Sequence, residues 1–349
     1  MTTVLGESSA AFALVCGVVV GQAPHVVVAT TADVAAVSRA IGGDAVDVRL
    51  LTSPAADPHF VDARPSMLRS CSRAEALVRT GRDLEIGWLP VLVGNSRNGA
   101  IVAGQPGSID ASTAVRALQV PTAGIDRGSG DVHAAGNPHY LVDPLCGLRV
   151  AALLRDRFGA LWPDRRADFA ARFDAFRRRL AVAMVGEHVA AAYGHDAEKL
   201  ALAFGAGRLA DVLHEQGDRD RLGGWFALML PLRGRSVVAD HDIWPYFTER
   251  FGLVMVGFFE PKPGVAPTTS HLQELVENMR RADARAILSA PYFAPQHARM
   301  VARATGAVIA EMAHQPGARG GDDVDYIDWI DQNVRAVARA LSGGGERDR

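Results

Sequence analysis

The chain has 349 residues, and 48% of them are apolar, which is enough for two domains with cores of their own. Its formal net charge of −2 gives no reason to expect a nucleic acid or an anionic membrane surface as a partner. The three cysteines, Cys16, Cys71 and Cys146, form neither a CxxC pair nor a zinc-finger spacing. Any metal site must therefore be built from histidine and carboxylate side chains. Whether Cys71 and Cys146 form a disulfide stays open.

Residues 1–23 are typical of an export signal. The apolar run Ala10–Gly21 precedes small residues that suit cleavage after Ala23. The run is too short to span a membrane comfortably, and the segment before it lacks the usual Lys or Arg. We expect the mature chain to be exported and soluble in the periplasm.

Strand and helix patterns alternate in the first part of the mature chain. Strands are rich in β-branched residues, whereas the helical segments place apolar residues three and four positions apart. The predicted elements are strands at His25–Thr31, Val46–Leu51 and Ala76–Thr80, with helices over 33–42 and from Pro65. Such alternation is the signature of a parallel α/β sheet.

The next segment is less regular. Ile86–Val93 predicts a short helix, and Gly94–Gly136 is rich in Gly, Ser and Pro, which predicts mainly loop. Within that loop, Ala114–Val120 is a candidate strand. The loop also carries His133, which we expect to be a solvated residue.

The middle of the chain contains the strongest helical pattern. After a helix predicted over 148–158, Arg165–His188 repeats apolar residues at three- and four-residue spacing and has no Gly or Pro before Gly186. We expect it to be a rigid connector. The following segment, Ala190–Leu232, is predicted to be helical and has no assigned role. Its Gly205–Ala210 stretch fits a dinucleotide fingerprint only loosely, because no strand precedes it.

The last third repeats the alternation seen at the start. The predicted strands are Ser236–Ala239, Leu253–Phe259, Ala286–Ser289 and Ala307–Glu311, and the predicted helices are Trp244–Phe251, His271–Arg281, Pro295–Thr305 and Asp325–Leu341. These patterns predict a second parallel sheet flanked by helices.

Three histidines stand at the ends of strands or in stiff loops. His59 and His139 each follow a proline directly, and proline restricts the backbone on both sides. His241 follows the predicted strand Ser236–Ala239. Imidazoles held in this way suit a metal ion such as Zn²⁺, so the sequence predicts that the fold brings these three residues together.

Several short segments, in their order and spacing, resemble the cluster A-I solute-binding proteins of bacterial ABC importers. These are the periplasmic zinc- and manganese-binding proteins. The matching segments are Ala40–Asp44, Asp57–His59, Gly81–Glu85, Asn137–Tyr140 with Asp143-Pro144, His241-Asp242 with Tyr246-Phe247, Glu260-Pro261 with Pro263-Gly264, and Asp325-Tyr326 with Asn333. The resemblance extends from about His25 to Leu341.

The resemblance implies an α/β fold of two lobes, each a parallel sheet flanked by helices, joined by one long rigid helix. The expected boundaries are a signal peptide at 1–23, an N-terminal metal-binding lobe at 24–163, a linker helix at 164–188, a C-terminal metal-binding lobe at 189–341 and a disordered tail at 342–349.

The resemblance also implies a metal between the lobes, held by His59, His139 and His241. A histidine in the third position favours Zn²⁺ over Mn²⁺, which prefers oxygen donors. The fourth donor stays open between His314, a nearby carboxylate and water, because Ala313 stands where some members carry an Asp. We expect a monomer that passes the metal to the membrane permease of an ABC importer and is not an enzyme.

The carboxylates of Asp143 and Asp242 are the expected hydrogen-bond acceptors for the ligand histidines. Two other functions compete with metal capture. One is a zinc hydrolase with a metal-activated water, although the sequence has neither an HExxH motif nor a GxSxG nucleophile elbow. The other is a binder of a metal chelate, which the low aromatic content of 7% disfavours, since few rings remain for a stacking pocket.

Overall fold

The computed structural model describes residues 23–122, 133–261, 265–320 and 324–343. The strands are β1 (His25–Ala29), β2 (Val46–Leu50), β3 (Ala76–Arg79), β4 (Ser108–Asp110), β5 (Ser236–Ala239), β6 (Val254–Phe258), β7 (Ala286–Ser289) and β8 (Val308–Glu311). The predicted signal peptide, with Cys16, lies outside the described residues except for Ala23, as do residues 344–349 of the predicted tail.

The helices surround two sheets. They are α1 (Ala32–Gly42), α2 (Pro65–Arg73), α3 (Leu89–Ser96), α4 (Pro144–Leu161), α5 (Arg166–Tyr193), α6 (Ala197–Gly205), α7 (Leu209–Glu215), α8 (Gly224–Met229), α9 (Pro245–Phe251), α10 (Thr269–Arg281), α11 (Pro295–Thr305) and α12 (Tyr326–Leu341). None of these helices is both long and apolar enough to cross a membrane, within the described parts of the chain.

Each lobe contains one parallel sheet, and the strand order is the same in both. The first sheet is ordered β2-β1-β3-β4 and the second β6-β5-β7-β8. In parallel sheets of this kind, ligands bind beyond the carboxyl ends of the strands, where the strand order reverses. The predicted fold class is thus confirmed. Because both sheets have the same strand order, each offers the same edge as a place where a site can form.

The prediction of a strand at Ala114–Val120 is wrong. The fourth strand is instead Ser108–Asp110, which pairs with β3 through only three residues and has no apolar run to reveal it. The backbone near Leu118 bonds elsewhere: its N–H donates to the Tyr246 hydroxyl at 2.9 Å, and its carbonyl accepts from Asn137 N at 2.9 Å. This segment therefore contacts the second lobe instead of joining the sheet.

The long helix α5 connects the lobes, as predicted, and its apolar stripe is buried. The residues of that stripe are Phe169, Phe173, Phe176, Leu180 and Met184. Gly186 interrupts the helix with φ 80° and ψ 163°, a conformation almost restricted to glycine. A Cβ placed there would lie 2.7 Å from the Cα of Gly223. The connector thus bends at Gly186, where its backbone packs against the backbone of Gly223.

The core is continuous across the lobes. One buried cluster includes Val27 from the first sheet, Phe176 from α5 and Val237 from the second sheet. Cys146 belongs to this cluster, whereas Cys71 lies in a separate cluster under α2 and α3. Both thiols are free and buried, so Cys71 and Cys146 do not form a disulfide. Burial raises the pKa of Cys71 to about 11 and that of Cys146 well above its ordinary value.

Candidate metal centre

The three predicted histidines meet between the lobes. His59 lies in the loop between β2 and α2, His139 precedes α4, and His241 follows β5. The ring centroid of His59 lies 5.4 Å from that of His139 and 6.4 Å from that of His241. Two stiff Pro-His loops and one strand end therefore bring three imidazoles to one place.

Carboxylates fix the tautomer of two of these rings. The Nδ1–H of His59 donates to Asp57 Oδ1 at 2.6 Å, and the Nδ1–H of His241 donates to Glu260 Oε2 at 2.7 Å. An ionised carboxylate only accepts hydrogen bonds, so the proton of each neutral ring lies on Nδ1. Each Nε2 then carries a lone pair, which is the arrangement of carboxylate–histidine–metal sites.

The prediction that Asp143 and Asp242 accept hydrogen bonds from the predicted ligand histidines is wrong. Asp143 accepts two hydrogen bonds from the guanidinium of Arg250, at 2.8 and 2.9 Å, and Asp242 pairs with the side chain of Gln119. Proximity in sequence to His139 and His241 suggested these two carboxylates. The helix start at Asp143 instead directs its side chain toward the second lobe.

Asp57 is held in its charged form by His59. Burial alone raises the pKa of this carboxyl, but the hydrogen bonds that His59 donates outweigh burial and hold the pKa below its ordinary value. The backbone N–H of His59 also donates to Asp57 Oδ1, at 2.9 Å. One carboxylate oxygen therefore fixes both the loop and the ring.

Asn137 ties the His139 loop to the second lobe. Its Oδ1 accepts from the backbone N–H of His139 at 2.9 Å, and its Nδ2 donates to the carbonyl of Asp242 at 2.8 Å. Because Asp242 directly follows His241, one amide side chain links two of the histidine-bearing loops across the lobes.

His133 also lies in this histidine cluster, which the sequence analysis did not predict. It is half-buried rather than solvated, and its ring stacks on that of His59 with centroids 5.1 Å apart. The two Nε2 atoms are separated by 3.1 Å. Burial, together with the nearby His59 and His241, lowers the pKa of His133 to about 4. The available signal was its position in the same loop as His139.

His314 lies beside the site but in a different setting. Its Nε2–H donates to the carbonyl of Ala56 at 3.3 Å, and its ring packs edge-on against Tyr292 at 4.5 Å. Its Nδ1 is buried and has no hydrogen-bond partner among the residues described. Burial lowers the pKa of His314 to about 4. The ring therefore stays neutral at neutral pH and holds the loop of His59.

The histidine rings are gathered but not closed around one point. Within the described ranges, no group of three or more His, Cys, Asp and Glu side chains stands in an arrangement that could hold a metal ion. Burial and the neighbouring histidines lower the pKa of His139 well below its ordinary value, as burial does for His133 and His314. Neutral imidazoles are what metal coordination requires, so the protonation of His133, His139 and His314 suits a metal although the rings do not yet enclose one.

A family model covers most of the chain. Residues 27–184 and 224–340 match the model described as zinc-uptake complex component A periplasmic, ZnuA. The chain belongs to the ZnuA family. Residues 185–223, which include α6 and α7, lie between the two matched segments. The family description itself names a periplasmic component of a zinc-uptake complex.

Curated relatives carry the same family name. The high-affinity zinc uptake system protein ZnuA of Brucella abortus is 25% identical over 115 residues, which is 33% of this chain and 33% of that relative. The alignment thus spans about a third of that protein. The protein of the same name from Yersinia pestis is 20% identical over 280 residues, covering 77% of this chain and 76% of the relative.

A solved structure shares the fold. A crystal structure of ZnuA superposes with a TM-score of 0.64 at 20% sequence identity, covering 92% of this chain and 98% of that one. At this identity the likeness concerns the fold, namely two parallel sheets with a long helix between them.

Proposed function

We propose that this ZnuA-family chain captures one Zn²⁺ between its lobes and delivers it to the membrane permease of an ABC importer. The observation that carries the proposal is the meeting of His59 and His139 from the first lobe with His241 from the second. In this proposal the protein is a periplasmic monomer, Zn²⁺ is its cargo, and it is not an enzyme.

The donor chemistry supports zinc as the cargo. Imidazole nitrogen suits Zn²⁺, whereas Mn²⁺ prefers oxygen donors. The carboxylates that contact these rings, Asp57 and Glu260, already accept hydrogen bonds from His59 and His241. They therefore support the nitrogen donors and balance the charge of the cation from behind the rings.

Replacing His139 by alanine tests the proposal. We expect at least about a tenfold loss of Zn²⁺ affinity, because even the loss of an outer hydrogen-bond partner costs about 10–100-fold at such sites. Competition with a chromophoric chelator measures the affinity, and circular dichroism checks the fold. His195→Ala, an exposed histidine in another part of the chain, is the control. A folded His139→Ala variant with the affinity of the control would contradict the proposal.

A further inference from the structure

We propose that His133 is the fourth donor of the metal site, so that four imidazoles, those of His59, His133, His139 and His241, surround the ion. This inference rests on the proposed function, since it concerns the same cargo site. It assigns a role to a loop residue that neither the family match nor the sequence pattern assigns.

The first argument is the distance between two nitrogens. Because His59 keeps its proton on Nδ1, its Nε2 presents a lone pair to the Nε2 of His133 at 3.1 Å. Without a metal, His133 must supply a hydrogen to that contact. Two nitrogen ligands of a tetrahedral zinc site, each about 2.0–2.1 Å from the metal, lie roughly 3.3–3.4 Å apart. A small rotation of either ring thus converts this pair into two ligands of one ion.

The second argument is that hydrogen bonds fix the turn that follows His133. Its carbonyl accepts from Gly136 N at 3.1 Å, and the carbonyl of Ala135 accepts from the buried guanidinium of Arg82 at 2.9 Å. Gly136 has φ 88°, and a Cβ there would lie 2.7 Å from the carbonyl oxygen of Leu118. The backbone on the C-terminal side of His133 is therefore fixed from two directions, and the ring faces His59.

The third argument separates His133 from His314. The Nε2–H of His314 is already engaged with Ala56, and its ring lies against Tyr292. No ring contact links His314 to another histidine within the described segments, whereas His59 has such contacts with His133, His139 and His241. His314 holds the loop that carries His59 and acts as a positioning residue. Its buried, unpartnered Nδ1 makes it the rival donor in the test.

An all-imidazole site has a consequence for selectivity. Four neutral nitrogen donors bring no negative charge, so the ion is balanced by Asp57 and Glu260 behind the rings. Oxygen-preferring Mn²⁺ gains nothing from such a site, whereas Zn²⁺ is bound well by imidazole.

The test counts imidazoles directly. Purified full-length chain, stripped of metal, is loaded with one equivalent of Zn²⁺, and X-ray absorption at the zinc edge counts the imidazole ligands. We expect four in the wild type and in His314→Ala, and three in His133→Ala with at least about a tenfold lower affinity. Should His133→Ala fail to fold by circular dichroism, His133→Gln replaces it and is expected to give the same loss.

Different failures point to different claims. Four imidazoles retained in the His133 variant, or one imidazole lost in His314→Ala, would overturn the assignment of His133 and leave zinc capture standing. A wild-type chain that binds no Zn²⁺ would overturn the proposed function itself.

Discussion

The carboxylates behind the histidines are the residue-scale basis of the site. Asp57 and Glu260 hold the Nδ1 protons of His59 and His241, which turns each Nε2 toward the site as a lone-pair donor. Such outer partners raise the basicity of the ligand and fix the ring orientation. The affinity of the site should therefore depend on groups that do not touch the metal.

Replacing Asp57 by asparagine tests this dependence. The amide oxygen still accepts from His59, but the negative charge behind the ring is lost, so we expect Zn²⁺ affinity to fall about 10–100-fold. Chelator competition measures the change. The matched control is Asp62→Asn, which removes an exposed carboxylate from the same loop. Equal affinities in the two variants would show that Asp57 only shapes the loop.

The sequence predicted part of the histidine cluster, although the role of its members as metal ligands stays a prediction. His59 and His139 were predictable, because a proline before a histidine stiffens the backbone that presents the ring. The roles of Asp57 and Glu260 were not, since the ring orientation depends on how the loops pack after the lobes meet. His133 looked like a solvated loop residue, and its partner His59 is distant in sequence. Only the tertiary contact revealed it.

At the scale of elements, α5 combines a predictable helix with a bend that its apolar period does not show. Buried phenylalanines at three- and four-residue spacing predicted the helix, and this was confirmed. The bend at Gly186 follows from tertiary packing, because the Cα of Gly223 approaches where a Cβ would stand. Similarly, the strand β4 was missed because only pairing with β3 defines its three residues.

Two glycine variants test the bend. Gly186→Ala should lower the free energy of unfolding by roughly 1–3 kcal/mol more than Gly194→Ala, because the backbone at both positions favours glycine but only at Gly186 would the new Cβ collide with another backbone, that of Gly223. Gly194 also has a positive φ, but nothing lies within 4 Å of a Cβ placed there. Urea unfolding followed by circular dichroism gives both values. Losses of the same size would mean that the contact with Gly223 contributes nothing.

At the scale of the whole molecule, the lobes are joined by more than one helix. The ion pair of Asp143 and Arg250 crosses between them, with side chains only 7% and 10% exposed. The Tyr326 hydroxyl of the second lobe also donates to the carbonyl of Leu141 in the first lobe, at 2.7 Å. Together with the continuous core, these contacts favour small local movements over a wide opening of the lobes.

Breaking the Asp143–Arg250 pair should destabilise the molecule strongly. Arg250→Met leaves a buried carboxylate without its partner, which typically costs about 3–5 kcal/mol of unfolding free energy. Arg149→Met, an exposed arginine of α4, should change that free energy by no more than about 0.5 kcal/mol. Adding Asp143→Asn to Arg250→Met should recover part of the loss in urea unfolding. If the two arginine variants are equally stable, the ion pair does not join the lobes.

The central claim is that this chain is a zinc-capture protein, and native mass spectrometry tests it most directly. Metal-stripped protein is mixed with equal amounts of Zn²⁺ and Mn²⁺, and the mass of the folded chain is recorded. The account predicts one tightly held Zn²⁺ per chain and no Mn²⁺, because the donors that meet between the lobes are imidazoles. A chain that takes up no metal, or that takes up Mn²⁺ in preference, would contradict it.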